Sequence, residues 1–492
     1  MKAANKNKYL PLAAALFVLL GSVPYLWGLT VCPGDGSFIG YTRNIDDMAV
    51  YMSWVKQTAL GSIVTENLFQ DKQGGAQFNV YILVLGFAAR LAGGLFRHPE
   101  TAVLHLARLL QALALPWVFY SFSGLFLSGG RSRLTATLIF LFGGGFGFFL
   151  PGAVDAWQPE AVTFMSAYLN PLFTAALILM LLCLGSLLRG RLWQAGLWLF
   201  LLGNVHTYDT VIVALLWAFA ALWEYGRTRD LRRLLLHIAS GAAGAVSVAV
   251  NCAIYLRDPI YRSRVDTVIS TPEIWYVLAG FGLPLLLACA ALIMVKKGRL
   301  SLRQLPVLVF WLLAGLAILY IPFSQQRKFI MGYMIPVSLL AGPALAQCLS
   351  RTGGLRRALC ALAVLVLAAG NLTNIHRDMT ELSAGTTAAR FSPWMSRDEE
   401  RVMDWIAAHA GPGDVIMAPP QTALFIPGYT GRRVYYGHWS ETPDYSRRTG
   451  EYMKVLEGAQ PRCDILVLPR DAREDLEDTA FETETFRIVR VR

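Results

Sequence analysis

Twelve apolar stretches follow one another along the first three quarters of the chain. They lie at about 9–30, 78–97, 101–127, 134–150, 163–188, 192–205, 210–225, 234–256, 274–295, 305–322, 332–349 and 358–371. Most approach the roughly 20 residues that a helix needs to cross a bilayer, with 192–205 and 358–371 short. The polar segments between them are of two kinds. Arg131/Arg133, Arg189/Arg191, Arg227 to Arg233, Lys296 to Arg303 and Arg351 to Arg357 form plain basic loops. Cytoplasmic loops carry such a Lys/Arg excess, so these are placed inside. Loops 31–77, 151–162, 206–209, 257–273 and 323–331 hold most of the acidic residues of this region and are expected outside. An inside N-terminus with an outside tail needs an odd number of crossings. Either one stretch within 78–133 is then not a full span, or two spans are merged elsewhere.

After Asn371 the pattern changes. Asp398 to His409 and Asp444 to Leu456 have helical spacing, while Asp414 to Ala418, Arg433 to Gly437, Asp464 to Leu468 and Phe486 to Val491 predict strands. The expected fold class is a polytopic α-helical membrane protein of about 11–13 transmembrane helices with a small C-terminal α/β domain. The expected divisions are a membrane domain over 1–371, a linker over 372–396 and an extracytoplasmic soluble domain over 397–492.

Composition agrees with this pattern. Only 16% of the 492 residues are charged, against about a quarter in soluble proteins. The mean hydropathy is +0.45. The net charge of +11 belongs to the inside loops and implies no nucleic acid. The cysteines fall mostly within apolar runs and show no metal-ligand spacing. Lys2, Lys6 and Lys8 before the run 9–30 look like a signal peptide, but the run is long and lacks a clear cleavage site. It is expected to be a first transmembrane helix, entered from the cytoplasm.

Candidate chemistry gathers in the outer loops. Arg43-Asn44-Ile45-Asp46-Asp47-Met48 places two adjacent carboxylates before an amphipathic run, Met48 to Leu60. That run is expected to lie in the membrane interface, with Tyr51 and Trp54 at headgroup level. Asp46 suits an N-cap and Asp47 a first-turn acid, yet neighbouring helical residues point about 100° apart. One can therefore cap while the other faces a site.

The second loop, Pro151 to Glu160, carries Asp155 after the glycine cluster Gly143 to Gly147, where a capped turn is the simpler explanation. His206-Thr207-Tyr208-Asp209 sits between apolar runs without a spacer. His206 and Asp209 would share a face, either as a structural staple or as a working pair. Arg257 to Arg264 and Gln325-Gln326-Arg327-Lys328 supply outside cations suited to phosphate or to lipid headgroups. The catalytic candidates are Asp46, Asp47, Asp155, His206 and Asp209. The candidates for holding a lipid phosphate are Arg43, Arg262, Arg327 and Lys328. A divalent metal, if one is used, is assigned to Asp155 and Glu160.

This layout resembles the GT-C, or C-type, membrane glycosyltransferases, such as protein O-mannosyltransferases and the aminoarabinose transferase of lipid A. Asp46-Asp47 stands where those proteins carry a first-loop acidic motif, Asp155 is similar in placement to a second outer acid, and Arg327 to a late phosphate-binding arginine. The run Gln325 to Lys328 through Gly332 and Ile335-Pro336, and Gly437-His438-Trp439-Ser440-Glu441-Thr442 in the tail, look like uncharacterised bacterial members of this clan. The resemblance covers about 1–371. It implies hexosyl or pentosyl transfer from a lipid-linked polyprenyl phosphate sugar to a glycan, lipid or protein acceptor, at the outer face of a bacterial inner membrane. A carboxylate of the first loop would be the base. No Trp-Trp-Asp sequon motif is present, which argues against peptide asparagine as acceptor. The alternative is a transporter or lipid flippase, which would place its ionisable groups near the bilayer midplane. A scaffold would leave the outer charges scattered.

Overall fold

The computed structural model describes residues 7–74, 76–257, 261–262, 268–350, 354–388 and 390–491. Its helices are α1 Leu10–Val31, α2 Ile45–Ala59, α3 Val80–Ala92, α4 Pro99–Ser123, α5 Gly130–Phe142, α6 Thr163–Leu169, α7 Pro171–Leu188, α8 Leu192–Val205, α9 Asp209–Thr228, α10 Leu231–Arg257, α11 Ile274–Lys296, α12 Leu305–Ala317, α13 Met334–Leu349, α14 Gly354–Ser383, α15 Arg397–His409, α16 Pro420–Thr430 and α17 Tyr445–Leu456. The strands are β1 Gly36–Phe38, β2 Trp394–Ser396, β3 Val415–Met417, β4 Arg433–Val434, β5 Ile465–Pro469, β6 Thr479–Glu482 and β7 Phe486–Arg490.

Seven helical segments among the described residues are long and apolar enough to cross a membrane, and three shorter apolar helices accompany them. The fold is that of a polytopic helical membrane protein with a C-terminal sheet domain. Two apolar stretches are cut where the sequence supplies a breaker. Asn170 accepts the Leu172 amide at 2.9 Å and Pro171 takes the first helical position, so 163–188 divides into α6 and α7. The stretch 134–150 stops being helical at Phe142, where the glycine run begins. Residues 372–383, expected in a linker, continue α14.

The chain forms two compact units. The first holds the described residues within Met1–Val23, Ala107–Asn251 and Thr267–Arg377. Its centre is α13, whose residues from Met334 to Leu345 are all buried, packed against α5 and α11.

The second unit holds the described residues within Pro24–Leu106, Cys252–Asp266 and Asp378–Arg492. Its five-stranded sheet has the order β4-β3-β5-β7-β6, with β3 parallel to β4 and β5, and β7 antiparallel to β5 and β6. Ile465, Leu466, Val467 and Leu468 of the middle strand β5 are at most 1% exposed, as its continuous apolar run requires. The first loop belongs to the same unit. β1 pairs antiparallel with β2, and Val434 of β4 donates its amide to Leu68 at 2.9 Å. Arg433 reaches Glu66 at 2.9 Å and the carbonyls of Asn67 and Lys72.

The helix expected to float in the interface is instead a packed core element. α2 lies against α3 and α16, and Met48, Met52 and Val55 are at most 1% exposed while Trp54 is 8% exposed. Burying each such side chain contributes about 1.5–3 kcal/mol. α3 comes so close that a Cβ on Gly86 would lie 1.7 Å from the Thr58 hydroxyl, so only glycine fits there. The apolar positions on more than one side of α2, read as an interfacial stripe, are the two faces of this sandwich.

Candidate functional site

α2 begins with Asn44 as its N-cap residue, whose side chain makes no capping bond. Asp46 and Asp47 are therefore the second and third helical residues, and neither is the cap. Acids in the first turn of a helix are favoured by the helix dipole.

The tail brings a built turn to this helix end. In Gly437 to Thr442, the Gly437 amide donates to the Thr442 hydroxyl at 3.1 Å and the Thr442 amide donates to the His438 carbonyl at 2.9 Å. The Thr442 hydroxyl donates to Phe69 of the first loop at 2.8 Å, and Asn67 donates to Glu441 at 2.8 Å. A Cβ on Gly437 would lie 2.8 Å from Phe69 and 2.9 Å from the Ala423 carbonyl, so this position has room only for glycine.

The turn fixes the imidazole of His438, which is 1% exposed. Its Nδ1 accepts the amides of Ser440 at 3.1 Å and Glu441 at 3.2 Å. In the neutral ring the proton is therefore on Nε2. Nε2 lies 3.7 Å from Asp47 Oδ1 and 3.9 Å from Asp46 Oδ2, and it has no hydrogen-bond partner among the described residues. Trp439 donates its indole N–H to Asp46 Oδ2 at 3.0 Å. Burial, then the charge of Asp47, pushes the Asp46 carboxyl above its ordinary range, while His438 and Trp439 pull it part of the way back. Asp46 lines a cavity of about 350 Å³ together with Phe391, Leu424, Gly437, His438, Trp439 and Tyr445. Arg43, expected at the lipid phosphate, is turned to Asp378, with Nε 2.9 Å from Oδ1. Arg262 is exposed, while its sequence neighbours Asp258 and Arg264 lie outside the described residues.

The other candidates are in the first unit. Asp155 is 1% exposed, in a short helical turn, Val154–Ala156. Its carboxylate accepts the amides of Gly145 at 2.8 Å and Gly147 at 3.0 Å. Burial pushes its pKa up to about 6 despite these bonds. Among the described residues no group of three His, Cys, Asp or Glu is placed to hold a metal. Both Asp155 oxygens receive backbone N–H donors, and among the described residues no third His, Cys, Asp or Glu joins Asp155 and Glu160.

His206 Nδ1 and Asp209 Oδ2 are 3.0 Å apart at the junction of α8 and α9. The His206 ring meets Tyr208 edge-on, and Lys328 Nζ lies 4.8 Å from the Tyr208 ring centroid. Arg327 stacks 4.9 Å from the Trp157 ring centroid, and its carbonyl accepts from Gln158 at 3.0 Å. The Arg327 Nε is buried and makes no hydrogen bond to the described residues.

His438 and Trp439 are the functional candidates to which sequence reasoning gave no role. The sequence signal was a His-Trp pair between a glycine and a threonine in an otherwise ordinary polar tail.

No family model and no curated protein matches this sequence. Solved structures do. The oligosaccharyltransferase of Archaeoglobus fulgidus in the apo form is similar at a TM-score of 0.55 and 11% identity, over 94% of this chain and 70% of that one. ArnT from Cupriavidus metallidurans bound to undecaprenyl phosphate is similar at 0.51 and 15% identity, over 96% of this chain and 97% of that one. The arabinofuranosyltransferase AftD from Mycobacteria is similar at 0.55 and 15% identity, over 97% of this chain but 36% of that larger protein. At these identities the likeness is one of architecture, and the architecture of this chain is that of the GT-C membrane glycosyltransferases.

Proposed function

We propose that this protein is a membrane glycosyltransferase that moves a sugar from a polyprenyl-phosphate donor to an acceptor hydroxyl, with a first-loop carboxylate as general base. The observation that carries this is the acid pair Asp46–Asp47 at the start of α2, facing the oriented Nε2–H of His438 in a cavity. The lipid-phosphate donor is carried over from the ArnT structure, which holds undecaprenyl phosphate.

In the proposed step the acceptor oxygen attacks the anomeric carbon. Its proton passes to the carboxylate, the bond from that carbon to the phosphate oxygen breaks, and polyprenyl phosphate leaves with the electron pair. Asp46 is the preferred base. Its raised proton affinity brings it nearer the operating pH, where a base is both ionised and basic enough to work. Arg327 and Lys328 are proposed for the donor phosphate, the first as a planar donor and the second as a point charge. Asp155 is proposed to hold the glycine loop, and His206–Asp209 to fix the α8–α9 junction beside Lys328. No observation favours the transporter or flippase reading in the same way.

The test is purified protein with a panel of polyprenyl-phosphate sugars, scored by release of polyprenyl phosphate. Asparagine keeps the shape of aspartate without the base. One of Asp46→Asn and Asp47→Asn should lose about 10²–10⁴-fold in turnover while still binding donor. Wild-type turnover in both variants overturns the mechanism.

A further inference from the structure

We infer that the His438–Trp439 turn of the tail forms the acceptor subsite, and that its ligand is the hydroxyl of an uncharged sugar ring. This rests on the transferase reading for the direction of transfer, but not for binding.

The Nε2–H of His438 is buried and unpartnered among the described residues, and two backbone amides hold the ring through Nδ1 on its far side. At 3.7 and 3.9 Å from the two carboxylates, it is too far from either to be satisfied directly. A group seated beside both must accept from nitrogen and donate to carboxylate. A hydroxyl does both. A phosphate dianion accepts from the imidazole but has no proton to give Asp46 or Asp47.

The charge of the cavity also selects a neutral ligand. Asp46 lines the cavity and Asp47 adjoins it, while no Lys or Arg is among the lining residues. An anionic ligand would meet like charge there.

Trp439 keeps 52% of its surface exposed while its N–H is anchored on Asp46, and Phe391 and Tyr445 complete the aromatic lining. Flat aromatic faces next to fixed polar groups match a sugar ring, which has C–H faces and a polar rim. The cavity volume of about 350 Å³ is at the small end of the roughly 300–1,000 Å³ found for small-molecule sites, which favours one ring over an extended glycan.

The experiment uses the full-length protein in detergent micelles without any donor. Saturation-transfer NMR is recorded with methyl glycosides of common hexoses and pentoses, and with hexose 6-phosphates. At least one methyl glycoside is expected to receive saturation at its ring C–H protons, and the phosphates to bind at least tenfold more weakly. Trp439→Ala should weaken the glycoside at least tenfold, while Trp439→Phe, which keeps an aromatic face, should stay within about threefold. Because Trp439 is half exposed, both variants should melt as the parent does. Absence of binding across the panel, equal binding of the phosphates, or an unchanged affinity in Trp439→Ala each overturns the inference. Since no donor is present, such a failure leaves the polyprenyl-phosphate release assay to judge the transferase reading separately.

Discussion

Replacing Trp439 by Phe removes one hydrogen bond and little else. The indole N–H lies 3.0 Å from Asp46 Oδ2 and stabilises the ionised carboxylate. A hydrogen bond to a charged group is worth about 1.5–3 kcal/mol. Trp439 is 52% exposed, so water replaces part of the bond and the lower end applies. Losing it leaves the ionised form less stabilised, so the Asp46 carboxyl rises further. The sign follows from the surroundings: burial and Asp47 already hold it high, Trp439 lowers it, and removing Trp439 lets it rise further. A base works only when ionised. The acid limb of the pH profile of kcat/KM should therefore move toward higher pH, with the plateau nearly unchanged. The assay is initial-rate release of polyprenyl phosphate across the acid range, at subsaturating acceptor. An acid limb that stays in place while the plateau is retained refutes Asp46 as the base and leaves Asp47 to be tested.

Asp155→Asn should abolish a pH dependence of stability. Its folded pKa of about 6 lies above the ordinary value of about 3.9, so the folded state favours the protonated acid. Stability from this group is complete below about pH 4 and is lost as pH rises to about 6, by about 3 kcal/mol in all. Thermal unfolding followed from pH 4 to 7 should show this fall in the parent and not in the variant. A fall that persists in Asp155→Asn counts against the assignment. Arg327→Ala should raise the donor KM while shifting the melting temperature only modestly, since its stacking on Trp157 contributes about 0.5–2 kcal/mol. An unchanged donor KM removes Arg327 from the phosphate site.

The membrane architecture was legible because spanning length and apolarity are properties of contiguous residues. The same holds for α15 and α17, whose polar and apolar positions alternate with helical period, and for β5, a bounded apolar run. α16 went unread because Pro420 and Pro427 bracket an almost wholly buried segment in which no face is polar. α2 was read correctly as a helix but wrongly as an interfacial one. Periodicity reports which positions are apolar, not whether lipid or protein covers them. The link from His438 to Asp46 leaves no local trace at all, because almost the whole chain separates the two. Asp155 lies within ten residues of the glycines it binds, and there the simple reading of a capped turn matches the observed bonds to Gly145 and Gly147.

The pairing of β1 with β2 also sets a clock on synthesis. Gly36 aligns with Ser396. A ribosome adding roughly 5–20 residues per second needs about 20–70 s to travel from one to the other. Throughout that interval the first loop has left the ribosome with the pairing edge of β1 open, a state in which strands are prone to wrong partners. Asp46 and Asp47 likewise wait for a histidine and a tryptophan made still later. A nascent or truncated chain ending before Trp394 thus carries the acid pair without the groups that orient it. Coupling this loop to a domain made so much later means that the cell receives a finished site only once that domain has been synthesised.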